Sequence, residues 1–203
     1  KKIGIKNITL ELTSKIFLEE IFSKIKNLET LEKLKLFIRQ KDVKNSLSLI
    51  ENREHKLLLK NLFSLTGSFK DLDKKINNVN LPNSINSEIE IIKKISKKIN
   101  FKNNDQIVID FTEVDNKNYH NGIKFTFFAK DVRGEVASGG RYKIKRNFSE
   151  ESAVGFTCFM DTVLRASSFE NSKKKILIPF ETEESVRIKL SNKNYILYSF
   201  FGD

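Results

Sequence analysis

An α+β fold is what this sequence predicts, and three observations predict it. Apolar side chains recur at helical spacing from about Leu10 to Phe101. After Asn103-Asn104 the period shortens to two, the mark of strands. Four of the eight glycines then fall close together, at Gly134, Gly139, Gly140 and Gly155. The expected architecture is a helical first half (1–104), a largely antiparallel sheet with flanking helices (105–168), and a small C-terminal β-α-β appendage (175–203).

The helical half divides at its caps. Ile16, Phe17, Ile21, Phe22 and Ile25 make one buried stripe, and Leu31, Leu34, Phe37 and Ile38 a second. Asp42 is a good N-cap for a short helix to Ile50. Glu54 to Leu65 carries Leu57, Leu58, Leu62, Phe63 and Leu65 inward, with Gly67 as its stop. Ser68 and Asp71 cap a further turn that ends near Asn77. Pro82 breaks the pattern, and Ser84 to Ile99 lines Ile85, Ile89, Ile92, Ile95 and Ile99 along one face. His55 sits alone here beside Glu54 and Lys56, without a second ligand at metal spacing, and reads as structural or solvated.

In the second half, Gln106 to Phe111, Gly122 to Ala129 and Gly134 to Ser138 read as strands. Ile123, Phe125, Phe127 and Ala129 alternate with polar neighbours, which suits a sheet with one face against helices. Asp131-Val-Arg-Gly134 has the composition of a turn. Residues 141–152 are polar and are expected to be a loop, before a strand at Ala153–Cys158 and a helix from Phe159 to Ala166. The tail follows as strand, helix and strand over Ile176 to Phe201. Some 30 residues are too few to stand alone, so that appendage must pack on something.

The totals bound the partners. The 203 residues suit one domain with a small appendage, and 39% hydrophobic content is enough for a core. The net charge of +11 makes nucleic acid a candidate partner, but Lys-rich runs at 93–98 and 173–175 are short and interrupted. The single Cys158 rules out an internal disulfide, and its apolar neighbours predict a buried, inert thiol. No apolar run approaches the roughly 20 residues that span a bilayer. With no leader visible, the expected location is the cytoplasm. The chain opens on Lys1 and not Met, which implies processing or missing upstream sequence.

Catalytic machinery is not visible. There is no phosphate-binding Gly-x-x-x-x-Gly-Lys-Ser/Thr loop and no Gly-x-Ser-x-Gly elbow. Asp110, Glu113 and Asp115 cluster at a strand end, where alternation sends side chains to opposite faces, so a solvated strand end is expected and not a metal cage. No cofactor, metal or catalytic residue is assigned. A binding pocket is better supported: Tyr119, His120, Arg141 and Tyr142 combine aromatic faces with polar tips, which can hold a small amino acid. On residues alone the tyrosines fit half-buried sheet positions too. The pair Gly139-Gly140 fits either a bulge or close approach to a ligand.

Two motifs carry a resemblance. Asn118-Tyr119-His120-Asn121-Gly122 and Ala137-Ser138-Gly139-Gly140-Arg141-Tyr142, followed by Ala153-Val154-Gly155-Phe156, resemble the second half of the histidyl-tRNA synthetase catalytic core. They are still more similar to that enzyme's non-synthesising relatives, the regulatory subunits of ATP phosphoribosyltransferase. In the synthetases these motifs read like Arg-Gly-Leu-Asp-Tyr-Tyr-Thr-Gly and Ala-Gly-Gly-Arg-Tyr-Asp and line the histidine pocket. Here Tyr119, Gly122, Gly139, Gly140, Arg141 and Tyr142 match, while Asp115, His120 and Lys143 replace an Arg, a Tyr and an Asp. The closing motif, Gly155 to Leu164, carries Thr162 where the synthetases have an ATP-binding arginine, and a hydroxyl cannot replace a guanidinium on phosphate.

The resemblance implies a class II aminoacyl-tRNA synthetase-like sheet that has lost adenylation. It implies a non-catalytic regulatory subunit, partnered by the short ATP phosphoribosyltransferase catalytic subunit in the first step of histidine biosynthesis. Self-association and feedback by histidine are further implications, with Tyr119, His120, Gly139, Gly140, Arg141, Tyr142 and Gly155 as the effector pocket. The earlier core motifs are not found, so the N-terminal part of the family core is expected to be missing here. With 38 residues after Arg165, no anticodon-binding domain is expected. The alternatives are a partial or degenerate histidyl-tRNA synthetase and a basic nucleic-acid-binding module.

Overall fold

In the computed structural model, residues 4–101, 104–114, 120–146, 149–167, 174–193 and 195–201 are described. They fall into two compact units, one over Gly4–Ser167 and one in the C-terminal tail.

The larger unit opens with a strand. β1 (Ile8–Ser14) alternates Leu10 and Leu12, both 2% exposed, with Thr9 and Glu11. The expected helical stretch therefore begins too early: Leu10 to Ser14 are extended, and only from Ile16 does the helical period hold. Seven residues of strand running straight into an amphipathic helix present an apolar series in which the two periods overlap.

Six helices follow: α1 (Ile16–Phe22), α2 (Leu28–Arg39), α3 (Val43–Ser48), α4 (Arg53–Leu65), α5 (Phe69–Ile76) and α6 (Asn83–Lys98). Their starts are chemical. Asn27, Asp42, Asn52 and Ser68 each accept a hydrogen bond from a backbone N–H of the first turn, satisfying donors that the helix cannot. Pro82 precedes α6, whose last turn carries Lys97 and Lys98 against the negative end of the helix dipole. The two-residue strand β2 (Gly67–Ser68) lies between α4 and α5.

The sheet is completed by β3 (Gln106–Ile109), β4 (His120–Ala129), β5 (Ala137–Arg146) and β6 (Ser149–Cys158), and α7 (Met160–Ala166) follows. Its order is β2-β3-β1-β4-β5-β6, antiparallel except where β1 meets β3. Thus the first strand in sequence is central in space. Leu10, Leu12, Phe125 and Phe127 join Phe17, Leu34, Ile38, Leu59, Leu62, Ile85, Ile89 and Phe111 in one core. Phe17 and Phe111 meet with ring centroids 4.5 Å apart. Each fully buried Leu, Ile or Phe there contributes about 1.5–3 kcal/mol relative to exposure.

The expected loop over 141–152 is instead the arm of a long hairpin. β5 and β6 pair continuously from Ala137↔Cys158 to Arg146↔Ser149. Lys143, Ile144, Glu150, Glu151 and Ser152 are all exposed, so this arm buries neither face and shows no apolar alternation. Cross-strand charge holds it: Lys143 Nζ lies 2.7 Å from Glu150 Oε2. Cys158, expected to be buried, is exposed because β6 is the edge of the described sheet.

The tail unit holds β7 (Lys174–Pro179), α8 (Glu184–Asn192) and β8 (Tyr195–Phe200), with the two strands parallel, the expected β-α-β arrangement. Arg187 staples it, donating to the Thr182 carbonyl at 2.9 Å, the Phe180 carbonyl at 2.6 Å and Ser199 Oγ at 3.0 Å. Phe180 and Phe201 stack at 4.5 Å.

Candidate effector pocket on the sheet

Register sorts the sheet into two faces. Leu10, Leu12, Phe125 and Phe127 face the helices, so the residues between them, Glu11, Lys124 and Thr126, share the other face. Ser138, Gly140 and Tyr142 extend that polar face on β5, and Gly155 and Thr157 on β6. The ladder between β4 and β5 is interrupted between His120 and Lys124, which re-aims His120 opposite Tyr142.

A cavity of ≈ 360 Å³ opens here, lined by His120, Ser138, Gly139, Tyr142, Gly155, Phe156 and Thr157. Glycine makes the space. A Cβ on Gly140 would lie 2.7 Å from His120 Cδ2 and 2.8 Å from the Ile123 carbonyl oxygen. One on Gly139 would come 2.6 Å from Phe156 Cβ. Close approach of strands and side chains is thus the structural reason for the glycine pair.

Of the residues singled out in the sequence, His120, Gly139, Tyr142 and Gly155 line this cavity, and Gly140 lies against His120. Arg141 does not line it. Alternation puts Arg141 on the side of its partner Val154, and its guanidinium covers Gly122 in the irregular part of β4. Tyr119 and Asp115 lie outside the described residues. Sequence reading missed Ser138, Phe156 and Thr157, and the signal for Ser138 and Thr157 was available as spacing of two from Gly140 and Gly155. Next to His120 in the chain, the buried Asn121 Oδ1 finds no hydrogen-bond donor among the described residues.

A second cluster lies further across the same face. Asp110 is not the solvated strand end expected: it is 6% exposed and heavily bonded. Lys41 Nζ sits 2.6 Å from its Oδ2, and its Oδ1 accepts from Thr112 N at 2.8 Å and Thr112 Oγ1 at 2.9 Å. Lys41, in the left-handed region at φ 56°, also donates to Thr112 Oγ1 at 2.9 Å. Glu113 pairs with Lys124 at 3.2 Å. Burial raises the Glu11 carboxyl above the ordinary carboxylate range, and the charges of Asp110 and Glu113 add to it, with Lys41 and Lys124 opposing. Among the described residues no group of His, Cys, Asp or Glu forms a metal site. Nor is any helix there long and apolar enough to cross a membrane.

Fold and pocket define the class: a mostly antiparallel sheet of class II synthetase type, backed by helices, with a small polar cavity on its open face. The family described as "Histidyl-tRNA synthetase" matches residues 1–163, and the chain belongs to that family. Among curated relatives, the ATP phosphoribosyltransferase regulatory subunit of Clostridium botulinum (strain Langeland) is 31% identical over 202 residues. That alignment covers 91% of this chain and 47% of the relative. The corresponding subunit of Lactococcus lactis is 27% identical over 172 residues, 82% of this chain and 51% of its own length. This chain therefore spans about half the length of these relatives.

Among solved structures, the ATP phosphoribosyltransferase regulatory subunit/histidyl-tRNA synthetase from Bacillus halodurans superimposes with TM-score 0.68 at 18% identity. It covers 98% of this chain and 55% of that one. The ATP phosphoribosyl transferase complex from Thermotoga maritima gives TM-score 0.54 at 18% identity, over 77% and 54%. At these identities the likeness concerns the fold.

Proposed function

We propose that this chain acts as a non-catalytic regulatory subunit of ATP phosphoribosyltransferase, required with the short catalytic subunit for the first step of histidine biosynthesis. The observation that carries the reading is the naming of the curated relatives aligned along most of the chain, all regulatory subunits of that enzyme. Their activity and partners belong to proteins of which this chain spans about half.

The site chemistry supports it. Thr162, which the family resemblance aligns with a nucleotide-binding arginine, is 3% exposed, and its Oγ1 accepts from Arg165 Nη2 at 3.1 Å. Arg165 itself is held by Asp161 at 3.1 Å. The cavity of His120, Tyr142 and the glycines takes the role of a histidine-sized effector pocket: a phenol and an imidazole can each donate or accept across it. Feedback requires that histidine favour one state of the assembly over another. The chain works in the cytoplasm in this reading.

Mixing this chain with the short catalytic subunit and measuring phosphoribosyl transfer to ATP tests the proposal. Stimulation, together with inhibition by histidine, is the expected result. No binding and no stimulation overturn the reading. The family match also admits a degenerate synthetase; histidine-dependent ATP–pyrophosphate exchange by this chain alone favours that alternative.

A further inference from the structure

His55, solitary in the sequence, has company in the fold. A cavity of ≈ 460 Å³ opens in the helical layer, between the turn that joins α1 to α2 and the turn that joins α3 to α4. His55 and Thr30 line it from the first turns of α4 and α2, both half-buried. Ile25, Leu49 and Ile50 supply an apolar wall that continues into the core, with Ile50 itself 4% exposed. No lining residue is shared with the cavity on the sheet.

The rest of the lining is rich in donors. Lys24 and Lys26 lie on one turn, and among the described residues neither has an ion-pair partner. Asn27 and Asn52 cap their helices through Oδ1, which accepts from Thr30 N at 2.9 Å and His55 N at 3.0 Å. Each amide NH2 is therefore left over as a donor. The Thr30 hydroxyl and the His55 ring can donate as well. Against these stands one carboxylate, Glu51, so two lysines less one acid leave the lining with a charge of +1.

We propose that this cavity binds a small organic phosphate, a monoester whose anionic head meets Lys24 and Lys26 and whose organic part covers Ile25, Leu49 and Ile50. The excess of donors selects an anion. Three terminal oxygens let a phosphate dianion engage both ammonium groups and an amide at once, which the two oxygens of a carboxylate do less well. The volume exceeds that of a bare ion and lies among small-ligand sites, roughly 300–1,000 Å³. The apolar wall favours an uncharged organic part over a second anionic group. The site goes beyond the effector reading and does not depend on it.

Calorimetric titration with phenyl phosphate at about pH 8, where a phosphate monoester carries two charges, tests the site. The unaltered chain should bind it with a Kd of about 0.1–1 mM. Lys24→Ala/Lys26→Ala should weaken binding at least about tenfold. Lys60→Ala/Lys70→Ala removes the same charge away from the cavity and should leave Kd within about twofold. All four lysines are exposed, so both double variants keep the fold, and unchanged melting temperatures verify this. Phenol, which lacks the anion, should give no binding heat. Inorganic phosphate, which lacks the organic part, should bind at least about fivefold more weakly than the ester. No binding by the unaltered chain, equal losses in the two double variants, binding of phenol, or inorganic phosphate as tight as the ester each overturns the proposal.

Discussion

The ring of Tyr142 lies over Gly155 on the neighbouring strand, so that a Cβ at Gly155 would sit 3.3 Å from Tyr142 Cε1 and 3.4 Å from its Oη. Gly140 is the register partner of Gly155, and on its far side it meets His120. Two glycines on paired strands thus lie one beneath each ring, Gly155 lining the cavity and Gly140 backing His120. Gly155→Ala asks only a small shift of a ring, and should cost less than about 1 kcal/mol while weakening histidine binding. Gly140→Ala meets the Ile123 carbonyl oxygen at 2.8 Å, backbone that cannot yield cheaply, and should cost about 1–3 kcal/mol. Thermal melts and calorimetric titration with histidine measure both.

Tyr142→Phe removes one polar tip from the cavity without changing its shape. Histidine affinity should fall about three- to tenfold, the worth of one hydrogen bond. Arg141→Ala should leave that affinity within about twofold, because its guanidinium lies over Gly122 and not in the cavity. Equal losses in the two variants would move the pocket to the other face of the sheet.

Asp110 is a buried charge whose partners are Lys41 and Thr112. Removing the lysine by Lys41→Ala leaves the carboxylate with only the Thr112 donors and a long contact from Thr66 Oγ1 at 3.5 Å, and should destabilise the chain by about 2–4 kcal/mol. Asp110→Asn should cost less, since the amide oxygen still accepts from Thr112. Denaturant titration separates the two.

Glu11 gives the chain a pH signature. Its carboxyl is raised in the fold by burial first and by Asp110 and Glu113 second. The folded state therefore holds this proton more tightly than the unfolded state does. Its contribution to stability is complete below the ordinary carboxylate value and declines as pH rises through the raised one. Glu11→Gln should flatten that decline and raise the melting temperature at pH 7 by about 1–3 °C, a modest figure because the side chain is part-exposed. Melts across pH 4 to 8 test the sign.

Restoring the synthetase residue with Thr162→Arg should not restore adenylation. Thr162 is 3% exposed and faces Gly134, 3.5 Å from where a Cβ would stand. A guanidinium forced into that space should cost about 3 kcal/mol or more, with no ATP–pyrophosphate exchange gained. A stable variant with histidine-dependent exchange would contradict this.

Much of this was legible along the chain. Asp42, Ser68 and the isoleucines of α6 announce their helices by capping chemistry and period, and the Gly-Gly-Arg-Tyr motif announces close-packed strands. The faces of the site were less legible. His120 shares the cavity with Tyr142 because the β4 ladder is irregular, and Arg141 leaves it because one step along a strand reverses direction. A polar hairpin arm that buries neither face carries no period to read, which is why β5 and β6 looked shorter than they are.

By itself the sequence determined the helical layer and the family motifs, since each rests on residues close together in the chain. Tertiary structure alone decided that Ile8–Ser14 is the centre of the sheet, that Asp110 is a buried ion-pair partner of Lys41, and that Tyr142 and Arg141 serve opposite faces. Those outcomes depend on pairing between strands far apart in the chain, as Thr9 with Gln106 and Ile8 with Ala129. A one-residue change in register would reverse every face, and no local pattern specifies it.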